Sequence, residues 1–384
     1  MIRFAVTLAS LWLVISCRGS QELDGKLKPR PQTEARAPQS VIDQNVLKRD
    51  LLARLPADDN WMKLELMKVF PLDGQRGTIP IITPIMISSG SEGTVYITDA
   101  AGNQVIELSP DLEVLRKIPS QPFRPLNRPS WATPVDGTLY VLDLTGFNVF
   151  SAAGEWIGKF KAFVAAHSIT LCRDDGMYVN PIFLYPPRGR AYPLVMQFDL
   201  SGRLLRSFGR AESNGIGAID NRALLACDRH RLVAAFTYRS KIHVYALDGR
   251  KIRDIDVRYR PIRELERYNI GHQSTLQSSG IVHRVTLVAG VSMFEERIFV
   301  LLDLPRIEIL EFDLQGRQVK HYHAGEGMGF VGPGGNGLVV RRQGRALIFY
   351  VLSGRGALFK LSSPVRSSPR VLLRGRIGRG ENHS

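Results

Sequence analysis

Arginine and aromatic residues occur together in three long segments of the chain, and these residue types are the best suited to ligand binding. The segments are residues 119–129, 181–193 and 259–280. Guanidinium groups bind phosphates and carboxylates through paired hydrogen bonds. We therefore predict a surface that binds an anionic glycan, a phosphate group or an acidic protein partner. Its candidate residues are Arg124, Arg128, Tyr185, Arg188, Arg190, Tyr192, Arg260, Arg263 and Arg267. Solvated loops without a binding role are the alternative.

A metal-dependent catalytic site would need His, Asp, Glu or Asn side chains that converge from several strands. His167 precedes a predicted strand, but the corresponding positions of the other repeats supply no ligand set. His272 and His283 lie outside that register. The GxSxG, HExxH and P-loop patterns are also missing from the sequence. We therefore predict no metal and no cofactor, and we favour a binding role over catalysis while leaving the enzyme class open.

The chain has 51 Lys and Arg against 36 Asp and Glu, a formal charge of +15. Such a surface attracts anionic polymers, lipid headgroups or acidic proteins. A general preference for arginine explains the charge equally well. Nucleic acid would suit the same residue types, but the export signal described next argues against it, so we predict no nucleic-acid partner.

Residues 1–17 contain one arginine and then an uncharged apolar run from Phe4 to Ile15. The run is too short to span a bilayer and is typical of a secretory signal. Its end, Val14 to Cys17, resembles the bacterial lipobox. The resemblance implies acylation of Cys17 and anchoring to a lipid membrane in the bacterial cell envelope. Because Arg18 replaces the aspartate that signals inner-membrane retention, we expect the outer membrane. An ordinary cleaved signal peptide is the alternative.

Residues 18–39 are polar and rich in proline, a composition that predicts a disordered tether. Residues 40–56 place their apolar side chains on one helical stripe, with Ser40 as N-cap and Asp43 as the capping-box acid. The helix surface opposite this apolar stripe carries charges of both signs. We expect an amphipathic helix that packs on the domain that follows.

Hairpins of similar sequence recur through the rest of the chain, most clearly in residues 197–208. The apolar residue four positions before each turn recurs at intervals of 44, 48, 47, 67 and 47 residues. These residues are Ile106, Phe150, Phe198, Tyr245, Phe312 and Phe359. A period in the forties built from four short strands is typical of a propeller blade. The sequence predicts an all-β fold, a six-bladed β-propeller of four-stranded blades over residues 61–376, preceded by the short helix and followed by a frayed tail at residues 377–384.

Ring closure requires a strand from one end of the chain to complete the last blade. We favour residues 62–70 over residues 370–377 for this role. In such a ring, the links from second to third strand and from outermost to next innermost strand share one face. The three arginine-rich segments are links of this kind, so we place them on one face as loops.

Cys172 and Cys227 occupy matching positions in adjacent repeats. They form either a disulfide or two buried thiols. We favour thiols, because we expect neighbouring innermost strands to exceed the Cα separation that a disulfide tolerates.

The runs VYITDAAGNQVIEL (residues 95–108) and LYVLDLTGFNVF (residues 139–150) resemble the repeats of NHL-type six-bladed β-propellers. Asp99, Asp143 and Asp303 keep the aspartate of that pattern. With the lipobox, the chain is similar to bacterial six-bladed propeller lipoproteins. Some six-bladed propellers are lactonases or lyases with a metal in the axial channel, so this likeness implies a fold rather than an activity.

The sequence therefore predicts a non-enzymatic, membrane-anchored binding or scaffold propeller with a basic loop face. The alternative is a propeller hydrolase, lactonase or lyase with an axial metal site. A purely structural role in an envelope complex fits the same features.

Overall fold

The structure is a computed structural model that describes most of the repeat region and one helix before it. The described residues are 44–53, 61–71, 81–119, 126–160, 166–172, 176–181, 192–211, 217–271, 284–324, 330, 332–354 and 357–364. The predicted signal segment, the tether and the C-terminal tail lie outside these residues.

Strand β1 (Met62–Pro71) precedes four antiparallel four-stranded sheets, each formed by four strands that are consecutive in the chain. Sheet 1 comprises β2 (Pro84–Ser89), β3 (Val95–Asp99), β4 (Gln104–Leu108) and β5 (Val114–Ile118). Sheet 2 comprises β6 (Trp131–Val135), β7 (Thr138–Asp143), β8 (Gly146–Phe150) and β9 (Trp156–Phe160). Sheet 3 comprises β10 (Ala166–Cys172), β11 (Gly176–Pro181), β12 (Pro193–Phe198) and β13 (Leu204–Arg210). Sheet 4 comprises β14 (Ala223–Cys227), β15 (Arg231–Phe236), β16 (Lys241–Ala246) and β17 (Lys251–Asp256).

The remaining strands belong to one eight-stranded sheet in the order β18-β19-β20-β21-β1-β24-β23-β22. Its later strands are β18 (Val288–Phe294), β19 (Arg297–Leu302), β20 (Glu308–Asp313), β21 (Gln318–Ala324), β22 (Leu338–Gln343), β23 (Ala346–Ser353) and β24 (Ala357–Ser362). β1 joins the two halves, because its residues 62–64 pair with β21 in parallel and its residues 65–71 pair with β24 antiparallel.

The described strands thus form five sheets in a propeller-like ring, whereas the sequence predicted six separate blades. The physical reason is β1, which pairs on both sides and fuses what would be the last two units. The innermost strands β2, β6, β10, β14, β18 and β22 contact their neighbours all the way round. The N-terminal closing strand is confirmed by the pairing of β1 with β24.

The described residues also form three helices. They are α1 (Gln44–Ala53), α2 (Gly217–Asp220) and α3 (Arg260–Gly271), and Ser91–Gly93 form a short 3-10 turn. The segment that contains α3 was predicted to be a loop. It is instead a helix, in which Ile262, Leu265 and Asn269 recur at helical spacing and are buried on the side that packs against the domain.

Burial falls from the axis to the rim. Every residue of β3 and β4 is buried, since each sheet is covered by a neighbour on both faces, and this explains the uninterrupted apolar runs of the second strands. The first four residues of the outer strands β13 and β17 are exposed. The described residues form six apolar clusters, five between adjacent sheets and one between the two halves of the eight-stranded sheet.

The recurrent turn glycines serve packing between sheets as well as turn geometry. Gly202 has a φ of +87°, and a Cβ there would lie 2.6 Å from the ring of Phe160 on the preceding sheet. Gly249 has a φ of +90°, and its Cβ would meet the ring of Phe208 at 2.8 Å. Phe160 and Phe208 each lie six residues after the turn glycine of their own sheet. One repeated sequence pattern therefore supplies both the turn glycine and the ring that packs against the turn of the next sheet.

Cys172 and Cys227 form a disulfide, and our preference for free thiols is wrong. They lie at the ends of β10 and β14, with Cα atoms 5.9 Å apart. This separation is within the range for a disulfide, so the innermost strands approach more closely than the sequence led us to expect.

Among the described residues, no helix has both the length and the apolar content to cross a membrane.

Candidate binding face

The strand order assigns every link to one of two faces of the ring. Links from second to third strand, and from one unit's outer strand to the next unit's innermost strand, share the face that carries α2 and α3. We call this the helix face and the opposite one, made of the short hairpin turns, the turn face. The helix face is where we predicted the binding surface.

The helix face is shaped by a polar residue at or next to the end of the second strand in several units. Asp99 accepts hydrogen bonds from the backbone N–H groups of Ile82 (3.0 Å), Thr83 (2.8 Å) and Gly102 (3.1 Å), and from Gln104 Nε2 (2.9 Å). These bonds satisfy backbone donors in links that would otherwise lack partners. The aspartates of the repeat pattern thus hold the links in place.

Other residues at the same position make the same kind of bond. Asp143 accepts from the N–H groups of Asn127 (3.0 Å) and Thr145 (2.7 Å). In sheet 3 the position is Asn180, whose Oδ1 accepts from Ala223 N–H at 3.0 Å. Sheet 3, one of the diverged units, therefore keeps the function of the aspartate with a different side chain.

Helix α3 is fixed to the face by polar contacts on its inner side. Asn269 Nδ2 donates to the carbonyl of Val285 at 2.9 Å, and its Oδ1 accepts from the same residue's N–H at 2.8 Å. Glu266 Oε1 accepts from the N–H of Ser240 at 3.0 Å, and Leu265 is buried. The helix is therefore held at several points along its length.

The outward side of α3 carries arginines. Residues 260, 263 and 267 follow the helical spacing that aligns them in one stripe. Arg267 is paired with Glu264 at 2.5 Å, and its side chain is 71% exposed. No described residue forms an ion pair with Arg260 or Arg263. The stripe therefore presents more positive than negative charge.

A buried ion pair ties α2 to the segment that follows α3. Arg284 Nη2 lies 3.0 Å from Asp220 Oδ1, and both side chains are almost fully buried. Arg239 approaches the same carboxylate at 3.8 Å. Burial raises the pKa of Asp220, and the two guanidinium groups oppose that effect. Removal of one partner would leave a buried charge without its counterion.

Helix α1 also lies on the helix face, as expected for a helix that packs on the domain. Its Lys48 Nζ lies 2.8 Å from Asp303 Oδ2, and only 3% of the Lys48 side chain is exposed. Gln44 Nε2 donates to the carbonyl of Arg284 at 3.2 Å, and Leu47 packs against the cluster between sheet 4 and β18–β20. The first described residues of the chain are therefore attached to this face.

His167 lies at the helix-face end of β10, where its Nε2 is 2.9 Å from Thr237 Oγ1. Burial, with Arg222 nearby, lowers the pKa of His167 to about 3. The ring is therefore neutral near pH 7. Among the described residues, no three His, Cys, Asp or Glu side chains are grouped as metal ligands would be.

The structure places five of the nine predicted binding residues on the helix face. Arg128 is in the link before β6, Tyr192 precedes β12, and Arg260, Arg263 and Arg267 belong to α3. The other four, Arg124, Tyr185, Arg188 and Arg190, lie outside the described residues, as does Cys17. The binding role of all nine stays a prediction.

Two arginines on the turn face are paired with acids of their own turns. Arg203 pairs with Asp199 at 3.0 Å, and Arg317 pairs with Asp313 at 2.7 Å. The hydrogen bonds of Ser201 and of the Arg203 N–H and guanidinium lower the pKa of Asp199 to about 2, so the carboxylate stays charged. These pairs stabilise their hairpins and neutralise the charge of these two arginines.

Sequence reasoning missed one polar cluster at the rim of the helix face. Glu308 Oε2 lies 3.2 Å from His321 Nε2, and Arg306 bonds Glu308 while stacking 4.1 Å from the ring centroid of Trp61. Burial alone would raise the pKa of Glu308, but the hydrogen bonds from His321, Arg306 and Tyr259 hold it below its usual range. The cluster fastens the start of β1 to β21, and Trp61 just before the closing strand was its only sequence signal.

No protein-family model matches the chain, and no curated protein matches it in sequence. Among solved structures, it is similar to a Bacteroides fragilis protein named as an exported protein. The two share 8% identity with a TM-score of 0.53, over 81% of this chain and 98% of the other. It is also similar to virginiamycin B lyase from Staphylococcus aureus, at 11% identity and a TM-score of 0.46, over 79% of this chain and 100% of the lyase.

The first likeness supports the propeller fold and, at 8% identity, nothing beyond the fold.

Proposed function

We propose that the protein is a non-enzymatic binding propeller of the bacterial cell envelope, which uses its helix face to hold an anionic ligand or an acidic protein partner. The charge of +15 and the position of the arginines support this role. We interpret the eight-stranded sheet as two blades joined by β1, which gives six four-stranded units of the NHL type.

We also propose that the chain is exported and held at the outer membrane through an acylated Cys17. The lipobox-like residues 14–17 support this proposal. Helix α1 would then connect the tether to the propeller, since Lys48 and Gln44 attach it to the helix face.

The observation that carries the binding proposal is the construction of α3. Asn269 and Glu266 fix its inner side, so its outer stripe is presented on a rigid element. That stripe holds three arginines and one acid, Glu264. A rigid arginine stripe binds anionic groups with less loss of conformational entropy than a mobile loop.

A soluble polyanion tests the proposal. We expect dextran sulfate to bind the protein, and the double variant Arg260→Glu/Arg263→Glu to bind it at least tenfold more weakly. The matched control is Arg229→Glu/Arg345→Glu, which makes the same charge change at two exposed positions of the turn face. Equal weakening in both variants, by fluorescence anisotropy, would show that net charge alone acts and would remove the helix face from the proposal.

The alternative, a hydrolase, lactonase or lyase with an axial site, has one observation in its favour. His167 is neutral near pH 7 and lies at the helix-face end of an innermost strand. A neutral imidazole can act as a metal ligand. Stoichiometric zinc or calcium in purified protein, lost in His167→Gln, would favour this alternative.

A further inference from the structure

The helix face exposes large apolar side chains next to its arginines. Ile82 is 65% exposed, Ile270 is 63% exposed and Leu144 is 55% exposed. Ile270 follows Arg267 on the outer side of α3. Leu144 neighbours Arg128, because its N–H donates to the carbonyl of Asn127 at 3.0 Å. Arginine and exposed apolar side chains therefore occur together at two places on this face.

These two places lie on opposite sides of the ring. Leu144 and Arg128 belong to sheet 2 and the link before it, and Ile82 is hydrogen-bonded to Asp99 of sheet 1. Ile270 belongs to α3, between sheet 4 and β18. In the circle of innermost strands, β6 and β18 are three positions apart in either direction. A ligand in a single pocket cannot contact both groups, whereas an extended planar surface can.

The chain N-terminal to the described residues also continues from this face. Gln44 is the first described residue and is hydrogen-bonded to Arg284 beside α3. Val46, in the same helix, is 46% exposed. The apolar residues 4–15 and Cys17 precede this point in the sequence, so a membrane attachment there would tether the propeller from the side of its helix face.

We propose that the helix face docks on an anionic phospholipid surface. Arg128, Arg260, Arg263 and Arg267 contact the lipid phosphates, while Ile82, Leu144 and Ile270 enter the interfacial region. Both contributions are those of peripheral membrane binding, in which buried apolar area adds to attraction by anionic lipids. This inference rests on the proposed role of the helix face, and it names the membrane surface as the anionic partner.

The test uses residues 18–384 without the lipid, which retain every described residue, and vesicles of phosphatidylcholine with or without phosphatidylglycerol. We expect binding to the anionic vesicles that weakens as salt rises, and much weaker binding to phosphatidylcholine alone. Arg260→Glu/Arg263→Glu should reduce the partition coefficient more than tenfold, since each basic residue contributes a factor of about five. The control Arg229→Glu/Arg345→Glu should change it less than threefold.

The apolar contribution has its own variant. Ile270→Ser/Leu144→Ser leaves the charge unchanged and removes two exposed side chains, so it should leave dextran sulfate binding intact and reduce vesicle binding about tenfold. Circular dichroism checks that each variant is folded. Vesicle binding that is equal in this variant and the wild type would overturn the inference. Failure to bind anionic vesicles, with dextran sulfate binding retained, would also overturn it and leave the proposed function standing.

Discussion

Removal of the disulfide should destabilise the ring by an amount that follows from the number of residues between the two cysteines. Cys172 and Cys227 are 55 residues apart in sequence. The chain-entropy relation for a loop of that length gives about 14 cal/mol/K, or about 4 kcal/mol at 25 °C. Unfolding of a domain of roughly 300 residues has an entropy of about 0.6 kcal/mol/K, so the expected decrease in Tm is roughly 7 °C.

The perturbation is Cys172→Ala/Cys227→Ala, measured by thermal unfolding under non-reducing conditions. Reductant should lower the Tm of the wild type by a similar amount and leave the variant unchanged. The matched control is Ser168→Ala, which removes the hydrogen bond from Leu225 N–H to Ser168 Oγ between the same two strands (2.9 Å) and should cost about 1 kcal/mol. A Tm decrease of less than about 2 °C, or alkylation of both Cys172 and Cys227 in denatured, unreduced protein, would refute the reasoning.

Three further predictions concern the helix face. Asp220→Ala leaves Arg284 buried without its counterion and should lower the free energy of unfolding in urea by about 3–5 kcal/mol. Asp220→Ala/Arg284→Met should restore most of that stability. An equally unstable double variant would contradict this prediction. The folded state lowers the pKa of His167 to about 3, so the unfolded chain takes up its proton at higher pH. Stability should therefore fall by up to about 1.4 kcal/mol per pH unit below pH 6.5, and His167→Gln should have a smaller slope; parallel pH profiles would contradict it. Lys48→Met leaves Asp303 without its ion pair and should increase amide exchange in α1, and unchanged exchange there would show that the pair does not hold the helix.

Local repeat features of this fold could be predicted from sequence. The run at residues 95–108, which resembles a propeller repeat in sequence, forms the strands β3 and β4, and every residue of these two strands is buried. The turn glycines were recognisable for a similar reason, since Gly202 and Gly249 serve both the turn and the adjacent sheet. The Met62–Pro71 closing strand followed from the need to pair the last sheet edge.

Features that depend on distances between units could not be predicted in this way. The disulfide depends on a Cα separation of 5.9 Å between two innermost strands, which no local pattern encodes. Fusion of the last two units depends on the parallel pairing of residues 62–64 with β21. The rim cluster joins Trp61 to Glu308 and His321, which are far apart in the chain.

The helix face was predicted in location and only partly in structure, and its binding role stays a prediction. Link topology placed the arginine segments on one face, because alternate links of a meander lie on the same side. The conformation of α3 was missed because its inward side is short and includes the polar Asn269, which is buried with its amide bonded to Val285 and Tyr238. Ile270 and Leu144 had no signal in the repeat pattern, since their significance lies in their exposure.

Hydrogen–deuterium exchange with and without an anionic partner tests most directly the claim that binding belongs to the helix face. With dextran sulfate or phosphatidylglycerol vesicles, we expect protection in residues 257–271 and 139–150 and unchanged exchange in the turns at residues 199–203 and 313–317. Protection of the turns with unchanged exchange in α3 would contradict the account.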